Sequence, residues 1–170
     1  MGVFGGSLDA ARASEFFAWF HLQPVDEPAG AHVVRFRPEG PLGDRTALDV
    51  ETTEATITRV TLRLDRAFVD DARDGAFAAD AATSFVRAAC PPAAFAPLAD
   101  ALQARMMQRP GMIVAAGATQ RDRAPAAFAE ILRAYDGGTE GASITLDGVR
   151  FAIRTTEEPR NVVELTVTPA

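Results

Sequence analysis

The spacing of apolar residues along the chain predicts two groups of strands separated by helices. Residues 7–20 carry apolar side chains at helical spacing after Ser7, a favourable N-cap residue. The next three segments alternate apolar and polar residues and predict strands with one buried face, at residues 31–37, 46–52 and 54–65. Ile57 falls on the polar side of the third segment, which indicates a bulge or an irregular start.

The middle of the chain is predicted to be helical. A helix over residues 74–90 has one apolar stripe, formed by Phe77, Ala81, Phe85 and Ala88. A second helix is predicted over residues 96–107. A third, over 125–135, has a stripe formed by Phe128, Ile131, Leu132 and Tyr135. The short apolar run at 112–116 is interpreted as a strand.

The last part of the chain predicts a second group of strands. Asp147 and Gly148 separate residues 143–146 from 149–155, and an Asp-Gly pair between such segments is a strong hairpin signal. Residues 162–168 alternate again. The order of elements predicts a single α+β domain over residues 1–170. We expect a mainly antiparallel sheet built from two three-strand meanders, with helices packed on one face.

Composition and charge exclude several classes of protein. The 170 residues are 48% apolar, which is enough for a buried core and too much for a disordered chain. No apolar run approaches the roughly 20 residues of a membrane-spanning helix. The formal net charge of −6 disfavours nucleic-acid binding. We therefore expect neither a membrane nor a nucleic acid as partner.

The first 20 residues lack the basic and apolar segments of a secretory signal, and the single cysteine allows no disulfide within the chain. These features predict a cytoplasmic protein. All 17 basic residues are arginine, a bias that we attribute to a GC-rich, bacterial genome rather than to chemistry.

No combination of residues predicts a catalytic site, a metal site or a cofactor. His21 and His32 have no carboxylate, cysteine or second histidine at ligand spacing. Cys90 ends a predicted helix, where the helix dipole disfavours a reactive thiolate, so we expect a buried, inert thiol.

Two further segments have some features of ion-binding loops. The acidic run at residues 65–74 lacks the residue order of a calcium loop and contains two arginines, which favours a solvated connection. The glycine loop at 117–121 matches no phosphate-binding motif, which favours an ordinary loop.

Charged residues occupy the polar sides of the predicted strands. The candidate ligand-binding residues are Arg35, Arg59, Arg63 and Arg150. One interpretation is a solvated face with ion pairs across the ladder, in which Arg59 and Arg63 are exposed and individually dispensable for folding. The alternative is an arginine-lined concave face that binds an anionic ligand or an acidic peptide.

The densest aromatic segment lies in the first predicted helix, at Phe16, Phe17, Trp19 and Phe20. These rings cover more than one side of a helix. They either pack entirely in the core or leave part of their surface for a partner, since aromatic residues concentrate at interfaces. We expect a homodimer or another protein partner at this helix.

In its size, acidity and order of helix, three strands and helix, the first half resembles small bacterial secretion chaperones. Those proteins close with a helix, whereas this chain adds further helices and three more strands. The leading hypothesis is a non-catalytic, chaperone-like binding or adaptor module that self-associates. The alternative is a small-molecule-binding domain or enzyme, with an arginine-lined pocket between sheet and helices for an anionic ligand.

Overall fold

The computed structural model describes residues 3–106, 125–157 and 161–170. The strands in these ranges are β1 (Leu22–Pro24), β2 (Val33–Pro38), β3 (Thr46–Thr53), β4 (Thr56–Asp65), β5 (Gly141–Leu146), β6 (Val149–Thr156) and β7 (Val162–Pro169). They form one antiparallel sheet in the order β1-β2-β3-β4-β7-β6-β5. The α+β class is confirmed. The strand predicted at 112–116 and the loop at 117–121 lie outside the described residues.

The hairpin turns follow from local sequence. Asp147 and Gly148 both have positive φ, at 49° and 72°, which is the backbone of a two-residue type I′ turn. Between β3 and β4 the register shifts after Glu51, so that Arg59 faces Glu51 and Ile57 faces Thr52. This irregularity is the predicted bulge. It turns Ile57 into the core.

Apart from residues 112–116, the sequence predicts six strands, whereas the sheet in the described residues has seven. β1 corresponds to none of the predicted strands, and it pairs with β2 from Leu22 opposite Pro38. It is a short edge strand, a position in which Pro24 is tolerated because its missing N–H faces no partner strand.

Helices cover one face of the sheet. They are α1 (Leu8–Arg12), α2 (Glu15–Trp19), α3 (Arg66–Asp70), α4 (Gly75–Ala89), α5 (Pro92–Met106) and α6 (Ala129–Tyr135). The core lies between them and the apolar side of the strands. Its largest fully buried side chains include Phe36, Leu48, Leu62, Leu64, Phe85, Phe95, Leu98, Leu102 and Phe151. No helix in the described part of the chain has the length and apolar content to cross a membrane.

The first predicted helix is two short helices. Ser7 caps α1, accepting a 3.2 Å hydrogen bond from the backbone N–H of Ala10. The chain then breaks before Ser14, whose hydroxyl donates a 2.6 Å bond to the Ala11 carbonyl oxygen. This break gives α2 its own orientation and therefore changes which of its aromatic residues face the core.

The predictions for the other helices are confirmed in part. The apolar stripe of α6 is buried against β5 and β6 as expected. In α4 the buried side runs through Ala78, Ala81, Ala82, Phe85 and Ala89. Phe77 lies about 100° away from that side and is 54% exposed, so its assignment to the buried stripe was wrong. The helix predicted from residue 96 begins earlier, at Pro92. Proline is compatible with this position because the N–H groups of the first turn have no partner within the helix.

Candidate functional site

The polar face of the sheet lies opposite the helices and carries its charges in rows across the strands. In one row Arg63 of β4 and Arg154 of β6 lie on either side of Glu164 of β7. Arg63 Nη1 is 2.6 Å from Glu164 Oε1, and Arg154 Nε donates to the other carboxylate oxygen. We call these three residues the Glu164 row. The row places a buried carboxylate between two guanidinium groups.

Asp49 of β3 extends this arrangement into a network. Arg35 binds it with two parallel bonds, Nε to Oδ1 at 2.7 Å and Nη2 to Oδ2 at 2.8 Å. Arg63 Nε donates to Asp49 Oδ2 at 2.8 Å and so links Asp49 with Glu164. The hydrogen bonds to Asp49 raise the pKa of Arg35 above its usual range. Arg35 is therefore a permanently charged structural partner.

The loop after β1 folds onto one end of this face. Glu27 accepts hydrogen bonds of 2.9 Å from both Nε and Nη2 of Arg37, and it lies 3.4 Å from Arg35 Nη1. The bonds from Arg37 hold the pKa of Glu27 below its usual range. The charges at this end of the sheet are thus satisfied within the chain.

A second row lies further along the same three strands. Arg150 of β6 pairs with Thr168 of β7. Arg59 of β4 comes just before Val60, whose partner is Val167, so it lies beside Thr168 on the other side. We call Arg59, Thr168 and Arg150 the Thr168 row. It has the arginine spacing of the Glu164 row, with a short hydroxyl side chain in place of the carboxylate.

Small side chains separate the two rows. Thr61, Thr166 and Ala152 are aligned across β4, β7 and β6, and Ser143 continues the line on β5. The Thr61 and Thr166 hydroxyl oxygens are 3.1 Å apart. Because these side chains are short, they form the floor of an open groove of about 640 Å³, which we call the trough.

Among the described residues, Arg59 and Arg150 at the Thr168 end of the trough pair with neither of its buried carboxylates, Asp49 and Glu164. Arg59 Nη1 lies 3.2 Å from Glu51 Oε2, and 57% of the Arg59 side chain is exposed. Arg150 is exposed and has no carboxylate within ion-pair distance among the residues that the structure describes. An anion arriving from solvent would therefore meet positive charge at this end.

The structure brings three of the four candidate arginines together. Arg59, Arg63 and Arg150 line the trough, while Arg35 lies beside it and is occupied by Asp49 and Glu27. All four lie on the open face of the sheet rather than between the sheet and the helices. Strand alternation is the reason, since it sends these arginines to the side opposite the apolar core residues.

Sequence reasoning missed the central role of Glu164. Its position opposite the apolar residues of the last strand was visible from the alternation. The pairing of β4 with β7, which places it beside Arg63, leaves no local signal.

The four candidate aromatic residues divide into two groups. Phe16 and Phe17 are buried, with ring centroids 5.8 and 6.2 Å from that of Phe4. Phe20 is half-buried against Phe16. Trp19 is 72% exposed and is the member of this set that presents its ring to solvent.

The other titratable candidates form no site. Burial raises the pKa of Cys90 to about 12, so its thiol stays protonated at neutral pH. His21 and His32 are exposed. In residues 3–106, 125–157 and 161–170, no group of three or more His, Cys, Asp or Glu side chains is arranged to hold a metal ion.

No protein-family model, curated protein or solved structure significantly matches this chain. A function must therefore be inferred from the trough and from the residues that line it.

Proposed function

We propose that this protein is a non-catalytic binding module that holds a carboxylate-bearing ligand in the trough. One observation carries the proposal: Arg59 and Arg150 flank Thr168 as Arg63 and Arg154 flank Glu164. In the Glu164 row, two arginines at this spacing bind one carboxylate. The Thr168 row has arginines at the corresponding positions and a threonine in place of the acid.

The spacing of the strands explains why both arginines can reach one ligand group. Neighbouring strands are about 4.8 Å apart, so residues on the two strands that flank β7 have Cα atoms roughly 10 Å apart. In the Glu164 row, arginine side chains close that gap onto one carboxylate. At Thr168 the shorter side chain leaves the same space for a carboxylate of the ligand, and arginine suits that group because its planar fork matches two oxygens.

The charges near the Thr168 row allow Arg59 to exchange its present partner for a ligand carboxylate. The Arg59–Glu51 pair is largely exposed, and such pairs contribute only about 0–1 kcal/mol, so Arg59 can change partner at little cost. The acids Asp49 and Glu164 are already bound by Arg35, Arg63 and Arg154. Arg59 and Arg150 are therefore the trough arginines that a ligand carboxylate can reach. The floor hydroxyls of Thr61, Thr166 and Ser143 are available to its other polar groups.

The same contacts support binding rather than catalysis. The buried carboxylates that line the trough, Asp49 and Glu164, are each paired with two arginines. A carboxylate held in this way is a poor general base, because removing a proton from a substrate would require breaking its ion pair.

The carboxylate can belong to a small polycarboxylate or to an acidic side chain of a partner protein, and the second source would make the protein an adaptor. From the composition, we also propose that the protein is bacterial and that it is located in the cytoplasm.

The test is calorimetric titration of the protein with citrate and, separately, with a hexaglutamate peptide. We expect at least one probe to bind, with an affinity that falls as salt is added. Thr168→Glu should abolish binding, because it supplies an internal carboxylate to Arg59 and Arg150. Arg150→Gln should weaken binding about tenfold or more. Arg133→Gln, at an exposed arginine of α6, is the matched control and should bind like the wild type.

The two probes distinguish the two sources of the carboxylate. Tighter binding of citrate favours a small-molecule ligand, and tighter binding of the peptide favours a protein partner. Binding that survives Thr168→Glu, or no binding of either probe at millimolar concentration, would overturn the proposal.

A further inference from the structure

A second surface lies on the helical side of the molecule. Trp19, at the end of α2, is 72% exposed. Beside it a groove of about 680 Å³ runs between α2 and α4. Its apolar lining is Phe4, Ala10, Phe16, Trp19 and Ala88, and its polar lining includes Ser14, Glu15, Asp80, Ser84 and Arg87.

The exposure of Trp19 follows from the packing of α2. Phe17 turns its ring towards Phe36, with centroids 4.9 Å apart, and Phe16 contacts Phe85 of α4. A residue two positions after Phe17 lies about 200° around a helix, so Trp19 points away from the ring that anchors the helix in the core. The burial of Phe17 therefore directs Trp19 outwards.

The apolar surface continues along α4. Phe77, Ser84 and Ala88 lie within a narrow arc of this helix, because seven and eleven residues are close to whole numbers of turns. Phe77 is 54% exposed. Of the two prominently exposed large hydrophobic side chains in the described residues, Trp19 lines the groove, and Phe77 lies on the same side of α4 as the groove residues Ser84 and Ala88.

We propose that this surface binds a second copy of the chain, with Trp19 of each copy inserted into the groove of the other. The projecting ring and the groove lie side by side on one patch. A two-fold axis next to this patch places Trp19 of each copy against the groove of the other, since such an interface uses the same patch on both subunits. A tryptophan buries roughly 150–250 Å² of surface, so two symmetric insertions form a substantial interface core.

The groove carries both acidic and basic side chains, so two copies related by a two-fold axis can present opposite charges to each other. Glu15 of α2 and Asp80 of α4 line the same groove as Arg87 of α4. Arg87 now contacts Asp100 at 3.2 Å in an exposed pair, which costs little to rearrange. A two-fold axis that exchanges Trp19 can bring Arg87 of one copy to an acid of the other. This self-complementarity favours a second copy over an unrelated protein, and it goes beyond the trough on the opposite side of the sheet.

The experiment uses the only tryptophan of the sequence as its reporter. Analytical ultracentrifugation and intrinsic fluorescence are recorded over the same range, from micromolar to hundreds of micromolar protein. We expect the mass to rise from one chain to two. Over that range, the emission maximum should move to shorter wavelength and quenching by acrylamide should decrease, because Trp19 becomes buried.

Two variants test the two halves of the interface. Trp19→Arg removes the projecting ring, and Ala88→Arg obstructs the groove while keeping the fluorophore. Each should weaken the dimer at least about tenfold, and Ala88→Arg should keep a solvent-exposed emission at every concentration. Ala127→Arg, at an exposed alanine outside the groove, is the matched control and should dimerise like the wild type. A monomer at all concentrations, or a dimer whose Trp19 emission does not shift or that Ala88→Arg leaves intact, would overturn the proposal.

Discussion

Arg66 Nη1 donates a 2.6 Å hydrogen bond to the backbone carbonyl oxygen of Tyr135, the last residue of α6. Its Nη2 donates to the Ala134 carbonyl oxygen at 3.1 Å and to Thr155 Oγ1 at 3.0 Å. One buried guanidinium therefore joins the start of α3 to the end of α6 and to β6. The position is favourable because a helix C-terminus carries partial negative charge.

Replacing Arg66 should strongly destabilise the fold. Arg66→Ala leaves the buried Tyr135 carbonyl group without its Arg66 donor, while the Ala134 carbonyl keeps its bond from the Gly137 N–H. We expect a loss of roughly 1–3 kcal/mol in the free energy of unfolding. Arg66→Lys should lose less, because it keeps the charge but not the planar fork. Denaturant titration gives these values, with Arg133→Ala as an exposed control expected to stay near wild type. A wild-type midpoint for Arg66→Ala would contradict this assignment.

Phe128 should be a principal contributor to the core beneath β5 and β6. It is buried, and its ring centroid is 6.1 Å from that of Phe95, which in turn is 6.2 Å from Phe151. Phe128→Ala should cost about 3–5 kcal/mol because it leaves a cavity. Phe77→Ala makes the same change at an exposed ring and should cost much less in chemical denaturation of dilute protein. Equal losses for the two variants would refute the packing described for α6.

Arg63 and Arg59 should differ in their effect on stability, although both lie on the polar side of β4. Arg63 is 36% exposed and bridges the buried Asp49 and Glu164, whereas Arg59 is 57% exposed and pairs with Glu51, whose side chain is 37% exposed. Arg63→Ala removes charge-assisted bonds and should cost roughly 1–3 kcal/mol. Arg59→Ala should cost about 0–1 kcal/mol. Urea midpoints at low and high salt measure the difference, and a larger effect at Arg59 would contradict the network.

The protein should lose stability in alkali through Cys90. Burial raises the pKa of this thiol from 9.0 to about 12. Between these values the unfolded chain releases the thiol proton and the folded chain keeps it, so the free energy of unfolding falls as the pH rises. The slope for one such group approaches about 1.4 kcal/mol per pH unit. Urea titrations from pH 8 to 11 should show a shallower decline for Cys90→Ala, and parallel curves would disprove the contribution of Cys90.

Tyr135→Phe should leave the protein at least as stable as the wild type. The Tyr135 hydroxyl is buried and has no hydrogen-bond partner within the described residues. Burial also raises the pKa of Tyr135. Removing the hydroxyl eliminates a desolvation penalty of roughly 1–3 kcal/mol at neutral pH. It should also reduce the alkaline decline above about pH 10, since the unfolded phenol would otherwise ionise there. A thermal midpoint well below that of the wild type would show that the hydroxyl has a stabilising partner.

Features that depend on neighbouring residues were predictable from the sequence. The alternation of Val60, Leu62 and Leu64 with Arg59 and Arg63 determined which side of β4 is buried, because successive strand residues point to opposite faces. The Asp-Gly turn and the Ser7 cap are likewise set by local backbone geometry and hydrogen bonding. The identity of the arginines on the polar face came from the same local rule.

Features that depend on distant partners were decided only by the tertiary structure. Arg63 meets Glu164 because β4 pairs with β7, and Arg66 meets Tyr135 because α6 ends beside α3. The exposure of Trp19 and Phe77 depends on how α2 and α4 are rotated when Phe16, Phe17 and Phe85 fill the core. Several rotations and strand pairings satisfy the same local pattern. The choice among them is made by close packing and by the pairing of buried charges, which involve the whole chain at once.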